Sequence, residues 1–243
     1  MRISFIFIGL IYFGISSFSF AQRNPVVEGN QYLLESGIFK KSGMLDGYKL
    51  PKPPPEGDSY YVADWQKATL TTASGRVLEG YNAIYDISNH LFYIQLENKE
   101  IRVLDGKLID NYSWINAITY VEEFFVNCLY YEIDGKNTAG FFRILYQDEL
   151  ELLVKRNIRI RKADYIEGLD TGRREDTILK EDAYFVAKSG IAYPLSGKIK
   201  NDQQILAAVF PGFDLKTHVK GHQIDLKTQE GMLQLITFLN DAF

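Results

Sequence analysis

The stretch ATLTTASGRVLEGYNAIYDISNHLFYIQLENKEIRVLDGKLI, residues 68–109, is a series of short segments in which apolar and polar residues alternate. Residue pairs suited to tight turns separate these segments, at Ser74-Gly75, Ser88-Asn89, Glu97-Asn98 and Asp105-Gly106. In the segment LFYIQLE, Phe92, Ile94 and Leu96 fall on one side of an extended chain. The pattern predicts an antiparallel meander with one buried face and one wetter face.

Similar segments continue toward the C-terminus. They are VNCLYYEID (126–134), AGFFRILYQDELELLVKRNIRIRK (139–162) and DAYFVAKSGIAYPLS (182–196), with turns at Asp134-Gly135, Gln147-Asp148 and Ser189-Gly190. The run GRREDTILKED, residues 172–182, mixes charges of both signs without an apolar period. We interpret that run as an exposed connection between strands.

The period changes near Lys200 from that of strands to that of helices. DQQILAAVF (202–210) has helical spacing with Asp202 as its predicted N-cap, and DLKTHVKG (214–221) predicts a short helix that begins at Asp214 and is closed by Gly221. TQEGMLQLITFLND (228–241) predicts a third helix. The predicted class is α+β: an antiparallel meander, curved or half-barrel, followed by about three short C-terminal helices.

The N-terminal sequence predicts export. MRISFIFIGLIYFGISSFSFAQ has one basic residue, an apolar run and small residues near its end, so residues 1–21 are predicted to be a cleaved signal peptide. Residues 22–58 are predicted to form an arm that ends in the proline-rich spacer LPKPPPEG. Residues 59–199 are predicted to form the β region, and residues 200–243 are predicted to form helices that pack on it within the same domain.

Composition excludes one class of partner. The chain has a formal net charge of −4, and loss of Arg2 with the signal peptide would make it more negative. Nucleic-acid binding depends on a positive contact face, so we expect no nucleic-acid partner. Cys128 is the single cysteine, so the fold has to be stabilised by an apolar core without an intramolecular disulfide.

The most basic segment is LLVKRNIRIRK, residues 152–162. On a strand, Lys155, Arg159 and Arg161 share one side, and most of the aliphatic side chains lie on the other. We interpret the basic stripe as the solvated face of a half-buried strand, partly neutralised by the acidic residues of the 147–151 turn. The alternative is an anion-binding site, in which Lys155, Arg159 and Arg161 contact a lipid headgroup, an acidic glycan or a phosphate.

Motifs for catalysis, metals and cofactors are weak. His218 and His222 have the spacing of a helical metal site, but Gly221 is expected to end the helix and turn the rings apart. Cys128 is interpreted as a small core residue and His90 as an ordinary surface residue in a turn. Asp86 with Glu122-Glu123 offers carboxylates for glycoside cleavage, although nothing in their spacing singles them out. We assign no catalytic residue, no metal site and no cofactor.

The segments WQKATLTTASGRVLEGYNAIYDISNHLFYIQLENKEIRVLDG and GFFRILYQDELELL, followed by short helices, resemble a group of uncharacterised exported proteins common in Bacteroidetes. The resemblance covers residues 60–240. Its matching positions are Trp65, Gly75, Arg76, Tyr85, Asp86, Ile101, Leu104, Phe142 and Leu145. It implies a periplasmic or cell-surface location, and its motifs imply structure without a catalytic role.

Three functional hypotheses follow. The first is an exported, non-catalytic module of the cell envelope that binds another protein or helps to assemble a surface structure. The second is a carrier or binder of a lipid, a glycan or another small ligand within the curved sheet. The third is a hydrolase whose site is dispersed over the ends of several strands.

Overall fold

The computed structural model describes residues 54–117 and 119–242. The predicted signal peptide and most of the predicted N-terminal arm lie outside these residues. The strands of the described part are β1 Gln66–Thr72, β2 Val77–Asp86, β3 Leu91–Gln95, β4 Ile101–Asp105, β5 Ile109–Ile115, β6 Glu122–Asn127, β7 Phe141–Tyr146, β8 Glu151–Arg161, β9 Thr177–Lys188 and β10 Ile191–Leu195.

These strands form one antiparallel sheet in the order β10-β9-β8-β7-β6-β5-β1-β2-β3-β4. The sheet is curved and does not close, and the helices follow it, so the predicted α+β class and meander are confirmed. The inner face of β1–β7 buries an aromatic core that includes Tyr85, Phe92, Tyr112, Phe125 and Phe141. Contacts of Phe141 in β7 with Tyr85 and Phe92 show how far the sheet curls, because β2 and β3 lie several strands away.

Three helices cover part of the sheet: α1 Ile199–Val209, α2 Leu215–His222 and α3 Gln229–Asp241. Their apolar side chains pack against Leu150, Leu152 and Val186. No helix in the described ranges is long and apolar enough to cross a lipid bilayer. On the opposite face of the sheet, Cys128 and Tyr131 from the β6–β7 connection pack on Phe142, Leu153 and Phe185.

Two predicted helix ends are wrong. The first helix begins earlier, at Ile199, and the carboxylate of Asp202 lies inside its first turn, where it accepts hydrogen bonds from the backbone and hydroxyl of Ser196. Gly221 lies within α2, which continues to His222 and ends at Gln223 in the left-handed conformation. Asp214 does cap α2, because its carboxylate accepts from the backbone N–H of Thr217.

The interpretation of residues 172–182 as a connection holds for residues 172–176 but is wrong for the rest, because β9 begins at Thr177. Thr177–Asp182 pair with Arg156–Arg161 of β8, so β8 and β9 form a two-stranded ribbon beyond the main sheet. Both faces of such a ribbon are near water, and the segment therefore needs no apolar period. The backbone of Glu56 pairs in parallel with Thr177, so the described end of the predicted spacer lies along β9.

Candidate functional site: the open edge of β8 and its cleft

Among the described residues, the outer part of β8 has a neighbouring strand on one side only. Pairing with β7 ends at Phe142 and Lys155, whereas pairing with β9 continues to Arg161 and Thr177. From Asn157 to Arg161, alternate residues therefore direct their backbone N–H and C=O groups away from β9, toward a position that no strand of residues 54–117 or 119–242 occupies. We call this segment the open edge of β8. Unpaired strand edges readily pair with another extended chain.

A cleft of about 420 Å³ lies beside this edge. The curvature of the sheet brings the β2–β3 turn to this cleft, where Ile87 and Ser88 join β8 in lining it. Ile158, Ile160 and Phe141 add apolar walls, and Lys155 and Arg156 add positive charge. The cleft thus combines apolar surface, cations and the free edge of a strand.

Arg156 ties the chain before β1 to the ribbon. Its guanidinium donates two hydrogen bonds, of 2.7 and 2.8 Å, to the carboxylate of Asp182, and a third to the backbone carbonyl of Tyr61. It also lies 4.4 Å from the centre of the Tyr61 ring, a distance suited to a cation–π contact. Burial raises the pKa of Tyr61 to about 12, partly offset by Arg156. The Tyr61 hydroxyl is buried and has no hydrogen-bond partner in the described structure.

Lys155 lies where the pairing of β7 and β8 ends. Its ammonium donates a 3.0 Å hydrogen bond to the hydroxyl of Thr138. Lys155 forms no salt bridge with any of the described residues. Gly140, with φ of +119°, lets the aliphatic stem of Lys155 pass close by, since a Cβ at this position would lie 3.1 Å from Cε. The ammonium is thus held at the cleft by a neutral partner, which leaves its charge available to an anion.

His90 is buried, contrary to its interpretation as a surface residue. Only 9% of it is exposed, and its Nδ1 lies 2.7 Å from the Tyr85 hydroxyl. Burial raises the pKa of Tyr85, so we assign its hydroxyl as the donor, which leaves the imidazole proton on Nε2. Nε2 is buried without a partner among the described residues. Gly106 permits this packing, because a Cβ there would meet the ring at 2.7 Å.

The burial of His90 predicts a loss of stability in mild acid. Burial lowers its pKa below the ordinary 6.5, Lys107 and Lys155 lower it further, and Asp105 opposes them. As the pH falls, His90 is therefore protonated in the unfolded chain before it is protonated in the folded chain. The contribution of neutral His90 to the free energy of unfolding is fully present above about pH 6.5, and it decreases below that pH by at most about 1.4 kcal/mol per pH unit. Urea unfolding at pH 7.5 and pH 5.5 should show that the free energy of unfolding falls less between these two values in His90→Asn than in the wild type. Asparagine is chosen because it tolerates the left-handed φ of 56° at this position. An equal loss in both proteins would contradict this role of His90.

The structure places the three predicted anion-binding residues along one strand but not in one pocket. Lys155 lines the cleft, whereas Arg159 and Arg161 lie farther along β8 and are exposed. Arg159 forms a salt bridge with Glu181. Of the neighbouring cations, Arg156 pairs with Asp182 and Lys162 pairs with Asp176. The charge-neutralising partners come from β9 and the loop before it, and not from the 147–151 turn as expected. Arg161 makes no salt bridge with the described residues.

The other candidate residues have structural surroundings. Burial raises the pKa of Cys128 to about 12, so its thiol stays protonated. Asp86 accepts hydrogen bonds from Ser59 and Asn89, and Glu123 accepts them from Trp114, Asn116 and Arg143. These carboxylates stabilise a turn and the sheet.

The two histidines of α2 do not diverge. Because the helix continues through Gly221, the rings of His218 and His222 lie 4.3 Å apart, centre to centre, and His218 also packs on Phe238. Within the described residues, no group of three or more His, Cys, Asp or Glu side chains converges to hold a metal ion.

The site is therefore an unpaired strand edge beside a cationic, partly apolar cleft, held in place by Arg156, Tyr61 and the buried pair of Tyr85 and His90. The groups that it presents are backbone hydrogen-bonding groups, apolar side chains and positive charge. No protein-family model, curated protein or solved structure matches this chain.

Proposed function

We propose that this protein is an exported, non-catalytic binding module of the cell envelope that captures an extended segment of a partner protein as an added strand on β8. The observation that carries the proposal is the open edge from Asn157 to Arg161. Strand addition is a common mode of peptide recognition, in which backbone hydrogen bonds provide affinity and alternate side chains provide specificity. The signal-peptide pattern of residues 1–21 supports export.

The other edge of the same ribbon already accepts an extended segment of this chain. The backbone N–H of Glu56 donates to the carbonyl of Asp176, and the N–H of Ile178 donates to the carbonyl of Glu56, each at 2.8 Å. The geometry of the ribbon is therefore compatible with strand pairing outside the main sheet. A further strand would lie about 4.8 Å from β8, in the direction of the cleft.

Side chains along the edge define the chemistry of the partner. Lys155, Arg159 and Arg161 alternate on one face of β8, and Ile158 and Ile160 alternate on the other. An added strand on the open edge places its own alternate side chains opposite Arg159 and Arg161 on one face and opposite the isoleucines on the other. The position opposite Lys155 is held by Phe142 of β7, so Lys155 lies beside the end of the added strand. The preferred partner is therefore an extended segment with Asp or Glu at every second position and apolar residues between them.

Selection from a random peptide library displayed on phage, against the chain from residue 22 onward, tests this preference. We expect selected peptides to alternate acidic and apolar residues. Hydrogen–deuterium exchange should then show slower exchange in Asn157–Arg161 with the selected peptide bound. The outermost strands of the sheet, β4 and β10, should not change. Protection confined to β4, or to the helices, would rule out strand addition at β8.

Removal of the three cations should weaken peptide binding. We expect the triple variant Lys155→Gln, Arg159→Gln, Arg161→Gln to bind the selected peptide at least about tenfold more weakly, chiefly through lost charge complementarity. Its fold should persist because exposed ion pairs such as Arg159–Glu181 contribute little to stability. The matched control changes three exposed cations elsewhere, Lys67, Lys99 and Arg102, to Gln. Equal losses in both triple variants would show a nonspecific effect of net charge and contradict the proposal.

A second candidate function is the binding of a small anion that has an apolar part. Two features favour this function. Among the described residues, the Lys155 ammonium is held only by the Thr138 hydroxyl, and the cleft beside it has apolar walls. Native mass spectrometry of protein purified from the periplasm of its own host distinguishes the two. A bound mass of a few hundred daltons that is lost in Lys155→Met supports the small ligand, whereas a bound polypeptide supports strand capture.

A further inference from the structure

A second groove lies on the outer face of the sheet, away from the aromatic core. It has a volume of about 560 Å³, which is within the range of small-ligand sites. The strand registers explain its composition, because Thr69, Ser113, Phe124 and Ile144 are successive cross-strand partners in β1, β5, β6 and β7. Asn111, beside Ser113 on the same face, and Gln147 complete its polar lining.

The polar side chains of this groove are available to a ligand. Thr69, Ser113, Asn111 and Gln147 provide two hydroxyls and two amides, and the hydrogen bonds found among the described residues do not involve these groups. Amides and hydroxyls both donate and accept hydrogen bonds. None of the residues that line the groove in the described structure is charged.

Phe124 provides an apolar platform at the centre of this row. It is 53% exposed, although phenylalanine is usually buried, and it lies between Ser113 on one strand and Ile144 on the other. A sugar ring has apolar C–H faces and hydroxyls at its rim. An exposed aromatic ring flanked by uncharged hydrogen-bonding groups matches both parts of a sugar.

We propose that this groove binds a neutral oligosaccharide. The absence of lining charges makes an uncharged ligand the electrostatic match, since an anionic glycan would have no cation to pair with. Strand addition is excluded at this position, because β1, β5, β6 and β7 each have a strand on both sides. Recognition there depends on side chains alone. The groove is independent of the open edge of β8, so either proposal can fail without the other.

Saturation-transfer-difference NMR tests the groove with four probes at millimolar concentration: maltohexaose, cellohexaose, xylohexaose and laminarihexaose. We expect at least one to bind, and its ring C–H protons to receive more saturation than the rest of the molecule. Phe124→Ala should weaken that binding about tenfold. Ile115→Ala is the matched control, because Ile115 lies on the same face of β5, is 54% exposed and does not line the groove.

Three outcomes would overturn the proposal. The first is that none of the four probes gives a signal. The second is that the Phe124 and Ile115 variants lose binding equally, which would indicate nonspecific contact with an apolar face. The third is a dimer in sedimentation velocity that Phe124→Ala converts to a monomer. That result would assign the groove to an interface between protein chains.

Discussion

Replacing Phe125 with alanine is expected to lower the free energy of unfolding by about 4 kcal/mol. The Phe125 side chain is 1% exposed and its ring stacks on that of Tyr112, with centres 4.3 Å apart. It also contacts Trp114 and Tyr61. The truncation removes buried apolar area and leaves a cavity among rigid rings that cannot easily collapse into it. A loss of this size is a large part of the 5–15 kcal/mol that stabilises a typical domain.

The adjacent Phe124 provides the control, because it has the same chemistry on the opposite face of β6. Phe124→Ala should change the unfolding free energy by less than about 0.5 kcal/mol, as expected for an exposed position. Urea unfolding followed by circular dichroism measures both variants. Similar losses for Phe124→Ala and Phe125→Ala would contradict the assignment of inner and outer faces. The Phe125 variant should also weaken peptide capture, because Phe125 supports Tyr61 and Tyr61 supports Arg156 at the cleft.

Arg143→Met is expected to cost about 3 kcal/mol, because it removes one partner of a largely buried ion pair. Arg143 Nη1 lies 2.8 Å from the carboxylate of Glu123, and the two side chains are only 18% and 14% exposed. Arg143 also donates a hydrogen bond to Gln229 at the start of α3, so it joins the sheet to a helix. Without it, the donors that the described residues offer to the Glu123 carboxylate are the neutral groups of Trp114 and Asn116.

The double variant Arg143→Met, Glu123→Gln separates the charge effect from the loss of packing. Removing both charges should restore more than half of the stability lost in Arg143→Met, because no unpaired charge then stays buried. Unfolding free energies of the wild type, both single variants and the double variant complete the cycle. A loss below about 1 kcal/mol in Arg143→Met would show that water solvates this pair well.

Local patterns were sufficient for much of the fold. The alternation in residues 68–109 and the pairs Ser74-Gly75 and Ser88-Asn89 correctly predicted strands and turns, because these depend on neighbouring residues. The helix from Leu215 was predicted from Asp214 for the same reason. The ribbon strand beginning at Thr177 was missed, since a strand exposed on both faces has no apolar period.

The candidate site was less predictable than the fold. Lys155 was singled out from the basic stripe, but nothing near His90 in the sequence indicates that it is buried. Tyr85 lies across the β2–β3 turn from it and Gly106 follows the adjacent strand β4, but Phe141 of β7 covers the ring only after the sheet curls. The same applies to Tyr61, whose contact with Arg156 joins residues far apart in the chain.

The sequence by itself determined the α+β class, the meander and the alternation of charge and aliphatic bulk along β8, because each depends on the intrinsic geometry of strands and helices. Tertiary structure alone decided that β8 extends beyond β7, that a cleft opens beside its unpaired edge, and that Phe124 faces outward beside uncharged polar groups. These features depend on where strands end relative to one another and on the curvature of the sheet. Both are set by packing between distant residues, which local periodicity does not record.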